Sequence, residues 1–153
     1  MEDKILAVGG EKGTVAVVGL MARSIVARIK LSGKNSAVNA VSFFSESLLL
    51  VGCENGKIMC LALPELKVFW ALHDSDSPIR SLLSLPKSNG FIVGKLDGAC
   101  VFYSLKVDKQ LTNVRVILSG ADADPVNTIK SDGCHIYTGA RDGQIRKYNI
   151  NDL

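Results

Sequence analysis

The fold of this chain is set by the stretch Gly139-Ala140-Arg141-Asp142-Gly143-Gln144-Ile145-Arg146-Lys147-Tyr148-Asn149-Ile150. An apolar run, His135-Ile136-Tyr137-Thr138, leads into it, and an alternating run follows the pair Asp142-Gly143. A two-residue turn that matches the twist of antiparallel strands needs positive φ, which glycine adopts at little cost. The stretch is therefore predicted to be a β-hairpin that turns at Asp142-Gly143.

The same hairpin frame occurs three more times. The earlier copies are Gly9-Gly10-Glu11-Lys12-Gly13, Gly52-Cys53-Glu54-Asn55-Gly56 and Gly94-Lys95-Leu96-Asp97-Gly98, each followed by an apolar run. The turn glycines lie at 13, 56, 98 and 143, so they are separated by 43, 42 and 45 residues. Hairpins at a fixed phase in a period of roughly 40–45 residues are typical of β-propeller blades.

The strand pattern divides the single domain into four units, at about residues 1–33, 34–76, 77–121 and 122–153. The first unit lacks an inner strand and the last lacks an outer one, which predicts 14 strands, or about three and a half four-stranded antiparallel blades. Second strands such as Leu48-Leu49-Leu50-Val51 are almost wholly apolar, as expected for strands buried on both faces. The predicted fold is all-β, a partial propeller without substantial helix.

An open stack of blades is expected to leave an apolar face and unpaired strand edges at each end. Such a chain either self-associates through its open edges or forms the C-terminal part of a longer propeller. Two copies would supply seven blades' worth of strands, and their half-blades would complete one another, so we expect the isolated chain to form a dimer, larger species or aggregates.

Composition excludes several classes of function. The net charge of +3 on 153 residues is too mild to indicate nucleic-acid or membrane binding. No apolar run approaches the roughly 18 residues of a membrane-spanning helix, and the start of the chain lacks the pattern of a signal peptide. The four cysteines form no C-x-x-C pair, which indicates reduced thiols in an intracellular protein. We expect a location in the cytoplasm, extending to the nucleus.

No catalytic constellation is visible. His73 and His135 are the only histidines, too few for a metal site, and the glycines around Lys12 lack the Gly-Lys-Ser/Thr ending of a phosphate loop. We therefore predict a non-enzymatic protein without metal or cofactor. The alternatives are an enzyme or small-ligand binder that uses the central pocket of a propeller, or a truncated product without independent function. Trp70, on an outer strand, is expected to serve packing rather than an interface.

The repeated frame resembles the WD repeat. In that family an Asp in the turn lies six residues before a Trp that an Asp follows. Here Asp142 lies six residues before Tyr148, and Asp97 lies six before Tyr103. The family's Gly-His dipeptide is absent, so its His–Asp–Trp hydrogen-bond network is not expected in any blade.

A closer resemblance rests on Gly120-Ala121-Asp122-Ala123-Asp124-Pro125-Val126, on Ile136-Tyr137-Thr138 with Arg141-Asp142-Gly143, and on the tail Asp152-Leu153. These segments are similar to the C-terminal part of the proteasomal ATPase-associated factor family. The resemblance implies a WD-repeat scaffold that acts as an assembly chaperone and binds an ATPase subunit of the proteasome regulatory-particle base.

Acidic residues cluster in the turns and loops that open on one rim of a propeller. Eight of the 15 acidic residues fall there, on a chain of net positive charge. Such an asymmetry would steer a basic partner surface. The competing interpretation is that Asp97 and Asp142 brace their turns and that the other acids are solvated loop residues. The candidate partner-binding residues are Asp74, Asp76, Asp97, Asp122, Asp124, Arg141 and Asp142.

Overall fold

The chain folds almost entirely into antiparallel strands. A computed structural model describes residues 4–118, 120 and 123–153. Within these residues helix is limited to two single 3-10 turns, Pro86–Ser88 and Ile150–Asp152. The strands are β1 (Ile5–Gly9), β2 (Thr14–Gly19), β3 (Ser24–Lys30), β4 (Val38–Ser45), β5 (Leu48–Cys53), β6 (Ile58–Ala62), β7 (Lys67–Leu72), β8 (Ile79–Leu85), β9 (Gly90–Lys95), β10 (Cys100–Leu105), β11 (Leu111–Leu118), β12 (Val126–Ser131), β13 (His135–Ala140) and β14 (Ile145–Asn149).

The strands form four sheets, each of which follows the order of the chain. The sheets are β1-β2-β3, β4-β5-β6-β7, β8-β9-β10-β11 and β12-β13-β14. This arrangement confirms the predicted partial propeller and its 14 strands.

The first strands of the last three sheets lie side by side, so the sheets are arranged as blades around an axis. The Oγ atoms of Ser42 on β4 and Ser84 on β8 are 2.9 Å apart, within hydrogen-bond distance. Ser81 on β8 donates from Oγ to the carbonyl oxygen of Val126 on β12 at 2.8 Å.

Each pair of neighbouring sheets encloses its own apolar core. Leu49 and Val51 of β5 face the first sheet, where they meet Val15 and Val17, whereas Leu50 faces the third sheet and joins Phe91. In the third sheet Phe91 faces the second sheet, whereas Ile92 faces the fourth sheet and packs into the cluster between the two. Both β5 and β9 are therefore buried on two faces, as their apolar composition predicts.

Trp70 serves packing, as predicted. It is 8% exposed, and its ring stacks on Phe91 at a centroid separation of 5.7 Å. Phe91 stacks in turn on Tyr103 at 5.3 Å. The indole Nε1 of Trp70 donates to the carbonyl oxygen of Lys109 at 2.9 Å, which satisfies its polar atom.

The two end faces of the stack differ, and the expectation of an apolar face at each end was wrong for the last sheet. On the first sheet Leu6, Val8 and Ile25 are each about half exposed and share the outer face. On the last sheet the outer face carries Lys130 and Lys147 on either side of Tyr137, which they flank in register. Apolar burial alone therefore does not favour direct contact between the two ends.

Candidate protein-interaction rim

One rim of the stack is built from the turns β1–β2, β5–β6, β9–β10 and β13–β14 and from the loops that connect successive sheets. We call it the acidic rim. The turn glycines Gly56 and Gly98 adopt φ of 77° and 87°. A Cβ on Gly98 would lie 2.6 Å from the main-chain nitrogen of Ala123, and one on Gly56 would collide with the carbonyl oxygen of Ser75. Glycine is thus required at both turns for two reasons. It adopts the positive φ of the turn, and it leaves room for the connecting loop that lies directly on the turn.

Two of the candidate aspartates brace their own turns. Asp97 accepts through Oδ1 from the main-chain N–H of Ala99 at 3.0 Å, and Asp142 accepts from that of Gln144 at 2.9 Å. Asp142 also forms an ion pair with Arg146, and this pair is the largest cause of a lowered pKa of the Asp142 carboxyl group. Both residues therefore have a structural role, whether or not they also contact a partner.

Three other candidates are differently placed on the acidic rim. The side chain of Asp76 is 97% exposed, and its Oδ1 lies 3.0 Å from Nε2 of His73. Arg141 is exposed, whereas Asp124 is half-buried in the loop that covers Gly98. The remaining candidate, Asp122, lies outside the described residues.

Asp74 is held inside a polar network and is not a solvated loop charge. Its Oδ1 accepts from Nζ of Lys95 at 2.7 Å, and its Oδ2 accepts from the hydroxyl group of Tyr103 and, at 3.2 Å, from Arg115. The residue as a whole is exposed because its main chain faces solvent, but its side chain is only 15% exposed. The interpretation of Asp74 as a solvated loop residue was therefore wrong.

The pKa values in this network follow from its geometry. Burial by itself would raise the pKa of Asp74. The hydrogen bonds from Lys95 and Tyr103, together with the charges of Lys95 and Arg115, outweigh that effect and hold the pKa below its usual value. Burial and the neighbouring carboxylate raise the pKa of Tyr103. Asp74 is thus ionised and Tyr103 is a neutral donor at physiological pH.

This network ties the loop before the third sheet to three strands of that sheet. Lys95 ends β9, Tyr103 lies on β10 and Arg115 lies on β11. The sequence frame places Tyr103 where the WD repeat has its Trp, and this was the one signal that could have indicated the network. The partner of Tyr103 is Asp74 rather than a histidine, so the family's network is absent from this blade, but a substitute made of other residue types is present.

Glu54, another acid on the rim, is also partly neutralised. It accepts from Nδ2 of Asn39 at 2.6 Å and lies 3.5 Å from the guanidinium group of Arg80. The rim therefore presents less free negative charge than its composition predicts.

A second polar cluster, which sequence reasoning missed, caps the β12–β13 turn on the opposite rim. Asp132 accepts from the main-chain N–H groups of Cys134 and His135 and from the hydroxyl group of Tyr137. The main-chain hydrogen bonds are the leading cause of a lowered pKa of Asp132. The sequence does carry a signal for this cluster. Asp commonly caps tight turns, and Asp132 lies in a short turn only five residues before Tyr137.

One cavity of about 210 Å³ lies beside Asp74 and Arg115, and another of about 430 Å³ lies on the opposite rim between Leu83 and Ile150. In the described part of the chain no cluster of metal-ligating side chains is found, and no helix is long and apolar enough to cross a membrane. Burial raises the pKa of Cys53 to about 11 and those of Cys60 and Cys100 to about 12, so these thiols are protonated.

The fold and its repeats define a partial β-propeller of the WD-repeat type. Residues 112–149 match the family described as WD domain, G-beta repeat. Crystal structures of two computationally designed proteins, Ika8 and Ika4, superimpose with TM-scores of 0.76 and 0.77. The matches cover 98% of the chain and 44% of Ika8 at 22% identity, and 97% of the chain and 87% of Ika4 at 19% identity. These structures support the fold alone.

Three relatives that share one name resemble the chain over nearly its whole length. The chain is 35% identical to Proteasomal ATPase-associated factor 1 of Homo sapiens, 34% identical to that of Bos taurus and 33% identical to that of Gallus gallus. Each match covers 99% of this chain and 36% of the relative, so the chain spans about a third of the length of these relatives.

Proposed function

We propose that this chain is a non-enzymatic interaction module that binds an ATPase subunit of the proteasome regulatory-particle base and assists assembly of that particle. The observation that carries the proposal is its identity of 33–35%, over 99% of its length, to relatives named for association with proteasomal ATPases. The WD-repeat fold agrees with it, since propellers of this type commonly serve as surfaces for protein binding.

The surface proposed for this contact is the acidic rim. Among the described residues, the acids of this rim without a lysine or arginine partner include Glu11, Asp76 and Asp124, whereas Asp74, Glu54 and Asp142 are paired within the protein. Asp76 contacts His73, and Asp97, which also has no basic partner among these residues, is left unchanged because it braces its turn. Exposed charges contribute little affinity singly but together steer association with a basic surface. The proposed partner surface is therefore a basic patch on an ATPase subunit.

The test is direct binding to each purified ATPase subunit of the base, with and without ATP, measured by biolayer interferometry. We expect saturable binding to one subunit or to a small subset. A rim variant that combines Glu11→Gln, Asp76→Asn and Asp124→Asn should bind more weakly. Absence of binding to every subunit in both nucleotide states would refute the proposal.

A matched control separates the acidic rim from net charge. The combination Glu46→Gln, Glu65→Gln and Asp152→Asn removes three exposed acids from the opposite rim and changes the net charge equally. We expect this control to bind like the wild type. If both variants lose affinity to the same extent, the subunit is recognised through overall charge and the rim assignment is wrong, although the partner assignment would stand.

A further inference from the structure

A cavity opens between the outer strands of the second and third sheets. It has a volume of about 210 Å³ and lies where the end of β7 approaches the start of β11. Both sheets have four strands, so the cavity does not depend on the first or the last sheet. Leu72 and Leu111 form the apolar part of its lining, and the polar part includes Asp74, Asn113 and Arg115.

One wall of the cavity is an enlarged β-bulge in β11. Tyr103 pairs with Arg115 and Leu105 pairs with Leu111, so three residues of β11 lie opposite the single residue Ser104. The bulge therefore contains two extra residues, whereas the bulge in β7 contains only one. Bulges redirect side chains and are frequent beside functional sites.

Hydrogen bonds hold the bulge open and leave one amide without a partner. Oγ1 of Thr112 donates to the carbonyl oxygen of Ser104 at 3.0 Å and accepts from the main-chain N–H of Val114 at 3.0 Å. Asn113, between Thr112 and Val114, is exposed and lines the cavity. No described residue forms a hydrogen bond with its side-chain amide, which is therefore available to a ligand.

The charges around the cavity do not balance. Asp74 accepts from Lys95 at 2.7 Å and from Nη1 of Arg115 at 3.2 Å, so two cations surround one carboxylate and leave a net charge of +1. The hydroxyl group of Tyr103 is neutral, and Asp76, which is 97% exposed, does not line the cavity.

Arg115 carries the available part of this positive charge. Its side chain is 54% exposed, and only one of its guanidinium nitrogens donates to Asp74. Lys95, by contrast, is 4% exposed and is held by Asp74 and Ser75. The planar fork of an arginine can bind a second carboxylate through its remaining N–H groups. The cavity therefore favours an anion that meets Arg115 first.

Size and charge narrow the ligand to a single acidic side chain. Pockets for drug-sized ligands measure about 300–1,000 Å³, more than the 210 Å³ found here. A carboxylate balances the net charge of +1, whereas a phosphate dianion would leave negative charge beside Asp74. The methylene groups of a glutamate would contact Leu72 and Leu111, and an aspartate would reach them less well.

We propose that this cavity binds a glutamate side chain of a partner protein. The carboxylate accepts from the guanidinium group of Arg115 and from the amide of Asn113, and the methylene groups pack on Leu72 and Leu111. The site borders the acidic rim at Asp74 but selects the opposite charge from the partner. The inference does not depend on the identity of that partner.

The test uses N-acetylglutamate N-methylamide, which mimics one glutamate residue, and the full 153-residue chain labelled with ¹⁵N. In NMR titrations we expect saturable shifts of the Asn113 side-chain amide and the Nε–H of Arg115 at millimolar concentrations. The glutamine analogue has the same shape without the charge and should bind at least fivefold more weakly. The phosphoserine analogue should also bind more weakly than the glutamate mimic.

Variants separate the cavity from general attraction between charges. Arg115→Gln should lower the affinity for the glutamate mimic at least fivefold and abolish the preference over glutamine, whereas Arg115→Lys should retain part of it. Asn113→Ala should weaken binding but keep the preference for the charged mimic. Arg28→Gln removes an exposed arginine from β3, another outer strand, and should bind like the wild type.

Four results would overturn the proposal. They are no shift of the Asn113 and Arg115 side-chain signals at tens of millimolar, equal binding of the glutamate and glutamine analogues, tighter binding of the phosphoserine analogue, and equal loss of affinity in Arg115→Gln and Arg28→Gln. The amide spectrum of each variant serves as the check that its fold is unchanged. Because the Arg115 side chain is 54% exposed, its replacement should not prevent folding.

Discussion

Replacement of Asp74 by Asn should destabilise the fold strongly, although the residue lies in a connecting loop. The substitution keeps the size and shape of the side chain but removes the charge that faces Lys95. The side chain of Lys95 is 4% exposed and loses its short carboxylate contact, 2.7 Å from Asp74. It retains Oγ of Ser75 at 3.0 Å, which cannot neutralise the ammonium group.

Removal of one partner from a buried ion pair typically costs about 3–5 kcal/mol, because the other charge remains buried and uncompensated. The introduced asparagine would keep one acceptor oxygen and the Asp74 side chain is 15% exposed, so we expect about 3 kcal/mol, at the lower end of that range. For a domain of this size, that loss corresponds to a decrease in Tm of roughly 6–12 °C.

Urea unfolding and thermal melts followed by circular dichroism provide the assay. The neighbouring substitution Asp76→Asn is the control, since a side chain that is 97% exposed should change the stability by less than about 0.5 kcal/mol. Adding Lys95→Met to Asp74→Asn should restore part of the loss, because it removes the uncompensated charge. Equal stability of Asp74→Asn and Asp76→Asn at pH 7 would refute this reasoning.

The same network predicts a pH dependence. The pKa of Asp74 is lowered in the folded state, so its contribution is fully present above its ordinary value of about 4 and is lost as the pH falls through the folded-state pKa. The difference in stability between the wild type and Asp74→Asn should therefore be constant near neutrality and shrink in acid.

The remaining predictions concern the turns, the aromatic stack and the thiols. Gly98→Ala should lower the stability measured by urea unfolding more than Gly143→Ala does. Both turns have positive φ, but among the described residues only the turn at Gly98 has a loop against the Cβ position, so equal losses of stability would contradict this contact. Trp70→Phe should cost about 1–2 kcal/mol by removing the hydrogen bond to Lys109 and part of the buried ring, and an unchanged urea midpoint would argue against that packing. In a thiol assay with Ellman's reagent, exposed Cys134 should react in the folded protein and the buried thiols only after unfolding; four fast thiols would contradict the burial of Cys53, Cys60 and Cys100.

Much of the fold could be predicted because it rests on local signals. The turn glycines and the period between them fix the hairpins, and alternating or fully apolar runs identify which strands are buried. The strand ends were less accurate. For example, the run Phe91–Val93 predicts a shorter strand than β9, which ends at the buried Lys95. From the sequence alone, Lys95 is expected to lie beyond the end of the strand, in solvent. Only its contact with the distant Asp74 explains why the lysine is buried.

The candidate site was less predictable for the same physical reason. Chain position correctly indicated that Asp97 and Asp142 brace their turns, because these hydrogen bonds span two residues. The role of Asp74 depends on groups 21, 29 and 41 residues away, and no local pattern encodes such contacts. The difference between the two end faces likewise becomes visible only when the strand register places Lys130, Tyr137 and Lys147 in one row.

The most direct test of the proposed function is the rate of association with a purified proteasomal ATPase subunit as a function of salt concentration. Stopped-flow measurements would compare the wild type with the rim variant (Glu11→Gln, Asp76→Asn, Asp124→Asn) and with its opposite-rim control. Binding through the acidic rim predicts that the rim variant associates more slowly and with a flatter salt dependence, whereas the control follows the wild type. Identical rates and salt slopes for all three proteins, with their folds unchanged, would show that the ATPase subunit does not bind the acidic rim.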